Sequence, residues 1–204
     1  TCLSSGISST INNAFVCKEE MQEKYPDAEI CVFDSICASG GHGLLIYHAI
    51  ENKKKGMSVK ENMQALEELK HRIVHKFTVD DLTYLQRGGR ISKTAAVIGG
   101  MIQLKPVLHV DTEGRLAAES KVRGRKKALN QLLAEMDICT GSYADKQDVV
   151  LICHADCPED AEYVRAKVEE KYHPNKIIMS EVGPIVGAHV GPGTMVLIFE
   201  GDKR

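Results

Sequence analysis

Four stretches of this sequence carry residue types that can grip an anion. Leu3-Ser4-Ser5-Gly6-Ile7-Ser8-Ser9-Thr10 places five hydroxyls in eight residues just ahead of a helical pattern. Hydroxyls and the free amides of a helix start together hold a carboxylate or phosphate, and they equally make an ordinary Ser/Thr-rich cap. Gln86-Arg87-Gly88-Gly89-Arg90-Ile91-Ser92 joins two glycines, which let backbone approach closely, to guanidinium forks that match an acid group. Lys121 to Lys127 holds five positive charges in seven residues, at the start of a helix whose dipole they oppose, so an acidic protein surface is the expected compensation. Gly183-Pro184-Ile185-Val186-Gly187-Ala188-His189-Val190-Gly191-Pro192-Gly193 presents one histidine in a restrained loop, where it can donate to an anionic headgroup or simply face water.

Other chemistries lack their residues. The glycine-arginine stretch has neither the GxxxxGK[ST] spacing of a phosphate loop nor the GxGxxG of a dinucleotide site. Cys153-His154-Ala155-Asp156-Cys157 contains ligand-type side chains, but its first two members end a strand facing opposite ways and no second cluster completes a metal shell. A serine hydrolase using Ser8 and His189 is conceivable, without the Gly-x-Ser-x-Gly elbow that exposes such a nucleophile. Asp34 and Asp80-Asp81 offer acids with no paired partner at a known distance.

These residues need a scaffold, and the hydrophobic pattern supplies one. Ser9 to Lys24 reads as a helix with Ile11, Ala14, Phe15 and Met21 inward, Ala28 to Phe33 as a strand, Ser39 to Gly43 as a glycine-rich turn, and Leu44 to Ile50 as helical. Ser58 and Glu61 have capping-box spacing ahead of Val59, Met63, Leu66, Leu69 and Ile73. Alternating helices and buried strands up to about residue 75 predict a parallel, Rossmann-like sheet, incomplete here. Beyond it Lys105–Val110 and Leu116–Val122 predict a hairpin turning at Asp111 to Gly114. A helix follows with Ala128, Leu129, Leu132, Leu133 and Met136 inward, then a strand from Asp148 to Ala155. A helix capped by Asp156 runs to about Tyr172, and Lys176–Glu181 and Thr194–Glu200 are strands around the loop of residues 182–193. The expected fold is α/β in two domains, 1–75 and 76–204, the second with a mixed, largely antiparallel sheet.

Bulk properties agree. The 204 residues allow one large domain or two modest ones, and 43% hydrophobic with 26% charged residues is a globular composition. A net charge of −2, with 4 Phe, 6 Tyr and no Trp, gives little support to a nucleic-acid regulator built on residues 121–127. The longest apolar runs, Val149 to Cys153 and Met195 to Phe199, are far short of the roughly 20 residues a membrane helix needs. Seven cysteines leave one unpaired in any disulfide scheme, which fits a reducing, cytoplasmic location.

In order along the chain, LSSGISST, VFDSICASGGHG, VDDLTYLQRGGRIS, LKPVLHVDTEGRLAAESKVRGRKKA and GPIVGAHVGPG resemble the motifs of the DegV family. The resemblance implies a non-catalytic protein that holds a long-chain fatty acid between two α/β domains. It further implies, for some members, a role as carrier subunit presenting the carboxylate to the catalytic subunit of a fatty-acid kinase, which forms acyl phosphate for phospholipid synthesis. The family's N-terminal aspartate-serine strand and threonine-serine-glutamine loop are not matched, as if about 80 residues were missing ahead of Thr1.

Carried over residue by residue, the resemblance assigns Ser8, Arg90 and His189 to the carboxylate, with Ser5, Ser9, Gly88, Gly89 and Gly191 in supporting loops. Ser9 stands where the family has a glycine. Arg123, with Arg125 and Lys126, is expected to face the kinase. The apolar stretch after the arginine motif offers Ile98, Met101, Ile102 and Leu104 as tail-lining residues. No cofactor and no metal is expected. A fatty carboxylate needs convergent donors and an apolar chamber: roughly 15 methylenes at about 0.8 kcal/mol each give a gross transfer term near 12 kcal/mol before ordering costs.

Overall fold

The computed structural model describes residues 1–91 and 104–204. Its framework is one six-stranded sheet in the order β3-β2-β1-β6-β4-β5, built from β1 (Ile73–Thr78), β2 (Leu104–Val110), β3 (Leu116–Arg123), β4 (Val149–His154), β5 (Lys176–Glu181) and β6 (Met195–Glu200). Only β4 and β5 are parallel; the other neighbours run antiparallel. Helix α1 (Thr10–Lys24) comes first in the chain, and helices α2 (Ser39–Lys54), α3 (Val59–Leu69), α4 (Thr83–Arg87) and α7 (Pro184–Val190) belong to one side of the sheet. Helices α5 (Arg125–Thr140) and α6 (Pro158–Tyr172) cover the other.

Period-two alternation sorts the strands into two cores. Ile73, Phe77, Leu108, Leu151, Val196 and Ile198 face the first, with Leu44, Leu45, Leu66 and Leu85 above them. Val74, Val107, Val150, Ile152, Leu197 and Phe199 face the second, under Leu129, Leu132 and Met136 of α5 and Ala161, Val164 and Val168 of α6. The mixed, largely antiparallel sheet is the one expected downstream of residue 75. Upstream, the predicted strand at Ala28 to Phe33 is extended chain with a single parallel bridge, Cys2 to Asp34, because among the described residues only Cys2 to Ser4 lies alongside to exchange hydrogen bonds with it.

Several local expectations are corrected. Central strand β1, with the run Ile-Val-His-Lys-Phe-Thr, escapes the pattern because Lys76 sits inside it, and Ile73 opens this strand rather than closing the stripe of α3. Lys76 is 1% exposed, its ammonium 2.7 Å from both carboxylate oxygens of Glu119 and 3.8 Å from Glu135. Glu119 reaches it from a β-bulge: the register slips between Val107–Ser120 and Leu108–Ala118, and the extra residue turns under α5.

Residues Ser39 to Gly43, expected as a turn, are the first turns of α2. Their glycines serve close packing: a Cβ on Gly41 would lie 1.9 Å from His75 Nε2, and one on Gly40 2.7 Å from Cys153 Sγ. Helix α1 forms as predicted but buries only Ile11, leaving Phe15 and Met21 more than 40% exposed, because its first turn alone is sunk into the rest. The cap of α6 is Cys157, and Asp156 instead takes a left-handed conformation at φ 54°. The capping box of Ser58 and Glu61 on α3 is present as read. No helix of the described residues is long and apolar enough to cross a membrane.

Candidate functional site

On the first-core side a pocket of about 840 Å³, open solvent at its mouth included, lies between the sheet and the segments that precede α1 and α2. Its floor is strand surface: His75 and Phe77 from β1, Val110 and Leu116 from the hairpin, Val196 from β6. Leu3, Ile7, Leu85, Ile185, Val186 and Val190 complete an almost wholly apolar wall. Ser8, Arg90 and His189 also line it, so residues 82 and 99 positions apart along the chain meet at one cavity.

Local chemistry explains how each is held. The loop at residues 3–8 is clamped on the hairpin turn: Ser4 Oγ donates to Gly114 O at 2.8 Å, and Gly6 runs so near Glu113 and Gly114 that a Cβ there would lie within 3 Å of their backbone. Ser8 Oγ lies 2.8 Å from Thr10 Oγ1 and accepts from the Thr10 amide at 3.3 Å. A hydrolase would want that hydroxyl bonded to His189. Arg90 joins two loops, donating from Nε to Ile7 O of the 3–8 segment at 3.3 Å and from Nη1 to Gly88 O of its own.

His189 sits on helix α7, not on the open loop expected for residues 182–193; Pro184 in its first turn and Gly183 as cap start a helix there. Gly88 gives the imidazole room: a Cβ on it would be 2.2 Å from His189 Nδ1. Gly191 ends the helix at φ 76° and passes close under the Tyr84 ring, where a side chain would clash. Gly89 is also left-handed, at φ 69°, but faces open space. Of the remaining supporting residues, Ser5 is exposed and its amide donates to Asp34 Oδ1 at 3.2 Å, while Ser9 caps α1 without a side-chain hydrogen bond.

The sequence reading missed the floor. His75 is 1% exposed, with Nε2 3.3 Å from the Ala38 amide and 3.2 Å from its carbonyl. Burial, with the Arg204 charge nearby, pushes its pKa down to about 3, so it is a neutral part of an apolar surface. Beside it the chain at Ile36 to Ser39 is strained, with Ile36 at φ 45° and Ser39 at φ 44°, and Ala38 and Ser39 line the pocket. Strain of that kind in a β-branched residue persists only where neighbours enforce it. Here Asp34 Oδ1 accepts from the Ile36 amide, Ser35 Oγ from that of Cys37, and Ile36 O accepts from Arg204.

Two groups of candidates lie elsewhere. Ile98, Met101 and Ile102 fall outside the described residues. Leu104 starts β2 and borders a different, polar hollow with Asp80, Asp81 and Lys121; strand rise puts it roughly 20 Å along β2 from Val110. In the basic stretch Arg123 and Lys126 are exposed, and Lys126 Nζ lies 5.8 Å from the Tyr163 ring centre. Arg125 is tied inward, Nε to Asp160 Oδ2 at 2.6 Å and Nη1 to Asp80 Oδ1 at 3.4 Å. Among the described residues no cluster of three or more His, Cys, Asp or Glu is arranged to hold a metal. His154 Nδ1 instead accepts from the Cys157 amide at 3.5 Å.

Fold and pocket together define an α/β protein with a greasy chamber whose lining includes a hydroxyl, a guanidinium and an imidazole, a set suited to a long amphiphile with one acidic end. A family model described as uncharacterised protein, DegV family, matches residues 2–202, and the chain belongs to that family. A DegV domain-containing protein of Clostridium perfringens is 41% identical over 201 residues, spanning 98% of this chain and 68% of the relative. The crystal structure of DegV from Bacillus subtilis, described as a fatty acid binding protein, matches with a TM-score of 0.81 at 31% identity, over 98% of this chain and 69% of that one. The Streptococcus pneumoniae fatty acid kinase B3 protein, loaded with linoleic acid, superposes with a TM-score of 0.90 over 98% of this chain and 70% of that one; at 21% identity this is a likeness of fold. The chain thus spans about two thirds of the length of such relatives.

Proposed function

We propose that this protein binds a long-chain fatty acid in the pocket above β1, with Ser8, Arg90 and His189 holding the carboxylate and Leu3, Ile7, Phe77 and Val196 packing the tail. The observation that carries the reading is the convergence of those three donors, remote in sequence, on one apolar cavity. The Bacillus subtilis relative, described as fatty acid binding, supports the ligand class. Most of the affinity belongs to the tail, whose burial scales with apolar area, while the donors fix its direction.

In this reading the protein is a carrier and not a catalyst. It works in the cytoplasm, a location that its seven free cysteines suit, and hands its cargo to a fatty-acid kinase for acyl phosphate formation. Nucleotide and magnesium then belong to the partner. The surface of Arg123, Arg125 and Lys126 faces that partner, with Arg123 and Lys126 reaching outward. We further place the division between the two family domains near residue 75. In support, every named strand begins at or after Ile73, and the earlier residues supply helices and one bridge.

Native mass spectrometry of protein purified gently from cells tests the binding. We expect a bound mass in the fatty-acid range, reduced at least severalfold in Arg90→Ala and His189→Ala. No bound lipid, together with no uptake of added oleate or palmitate, would sink the proposal.

A further inference from the structure

Arg125 sits at the centre of a chain of contacts that runs away from the surface and toward the pocket. Its Nη2 lies 3.6 Å from Cys157 Sγ, and that thiol donates to Thr194 O at 3.3 Å. Thr194 is fully buried and lines the pocket, and its own Oγ1 donates a shared bond to Val190 O at 3.1 Å and Gly191 O at 2.9 Å, the last residue and the cap of the helix that bears His189. A second branch leaves through Asp80, which receives Arg125 at 3.4 Å and Lys105 at 2.7 Å. The Asp80 carboxylate is seated on Gly193, where a Cβ would be 2.4 Å from Oδ2. A third contact, 2.6 Å to Asp160, fixes the guanidinium itself.

Both branches therefore end on residues 190–194, one through Thr194 and the other at Gly193. That segment needs external support: Gly191 and Gly193 are left-handed at φ 76° and 75°, and α7 is a seven-residue helix with a glycine cap at each end. A guanidinium fork addresses Asp160, Asp80 and Cys157 at once; an ammonium on a flexible stem reaches them singly. Burial raises the Cys157 pKa, which keeps the thiol protonated and able to donate.

We propose that Arg125 is a positioning residue for His189, acting through Cys157, Thr194 and Asp80 to hold the end of α7 at the pocket; the inference rests on the fatty-acid reading only for its lipid readout. A residue at the base of the basic stretch would then link the outer surface to the donor at the pocket.

The test compares wild type with Arg125→Lys, Cys157→Ala, Cys157→Ser and, as a cation-deletion control on α6, Arg165→Ala. Nuclear magnetic resonance follows the pH titration of the His189 ring and hydrogen exchange of the Gly191 and Gly193 amides, and stopped flow follows oleate release. In Arg125→Lys and Cys157→Ala we expect a displaced His189 titration, at least tenfold faster exchange at both glycines and severalfold faster release, with Cys157→Ser restoring much of the wild-type behaviour and Arg165→Ala changing nothing. Should Arg125→Lys fail to fold, Cys157→Ala decides, since it removes the thiol that joins Arg125 to Thr194 and leaves the contacts of Arg125 with Asp80 and Asp160 in place. Folded variants with His189 titration and glycine exchange superimposable on wild type overturn the proposal. A wild type that refuses oleate while the resonance readouts respond as expected removes the lipid reading and leaves the positioning role standing.

Discussion

His75 shows how a single side chain can be both structural and diagnostic. Its ring is buried against Ala38 and Gly41 and kept neutral, with a folded pKa of about 3 against an ordinary 6.5. Below pH 6.5 the unfolded chain takes up a proton that the folded one refuses. The stability from this residue is therefore complete above that pH and falls as pH drops toward 3, by up to about 1.4 kcal/mol per pH unit. Urea unfolding at a series of pH values should show wild type losing stability on acidification more steeply than His75→Asn, by about that slope. Equal slopes would mean that the ring is protonated in the folded protein. The motifs around Ser8, Arg90 and His189 were legible in the sequence because glycines and hydroxyls announce themselves. His75 was not, because nothing local distinguishes a pocket-floor histidine from any other.

At the scale of elements, what the sequence revealed and what it hid have physical reasons. The hairpin of β2 and β3, the capping box of α3 and the inward stripe of α5 follow from turn chemistry and periodicity, which are local. Strand β1 depends on a lysine neutralised by Glu119 and Glu135, which come from β3 and α5 and cannot be foreseen from six residues. The glycine run that opens α2 reads as a turn because glycine disfavours helices, but at Gly40 and Gly41 helix and sheet approach so closely that a side chain has no room. Two neighbouring substitutions should consequently differ in sign. Gly41→Ala drives a methyl into the His75 ring and should cost about 1 to 3 kcal/mol. Gly43→Ala, whose new carbon would meet only Leu151 at 4.0 Å, should gain up to about 1 kcal/mol from helix propensity. Chemical denaturation of the pair checks this, and a loss in both would mean that α2 is packed more tightly than the structure shows.

Across the whole molecule, the pocket draws its walls from residues 3–8, 38–39, 75–77, 85–90, 110–116 and 182–196, so an occupant touches both ends of the chain and the middle. A ligand that binds only the folded form adds about 2.7 kcal/mol at a hundredfold excess over its Kd. Saturating oleate should therefore raise the melting temperature by several degrees, and by clearly less in Arg90→Ala. A melt unmoved by oleate in a protein already stripped of lipid would count against a shared cavity. The mixed, largely antiparallel sheet was readable from the strands after residue 75, but its first helix layer was not, because the helices before that point read as covering a parallel sheet of their own. That Ser8 and His189 share one pocket was legible only through the family resemblance, because no local rule brings residues so distant in sequence together.

The turn at Ile36 carries one more consequence. A β-branched residue held at φ 45° works against its own backbone, and glycine at that position would relieve about 1 to 2 kcal/mol. Ile36 thus holds the backbone beside Ala38 and Ser39 against its own preference, and a glycine there would leave that edge of the pocket freer to shift.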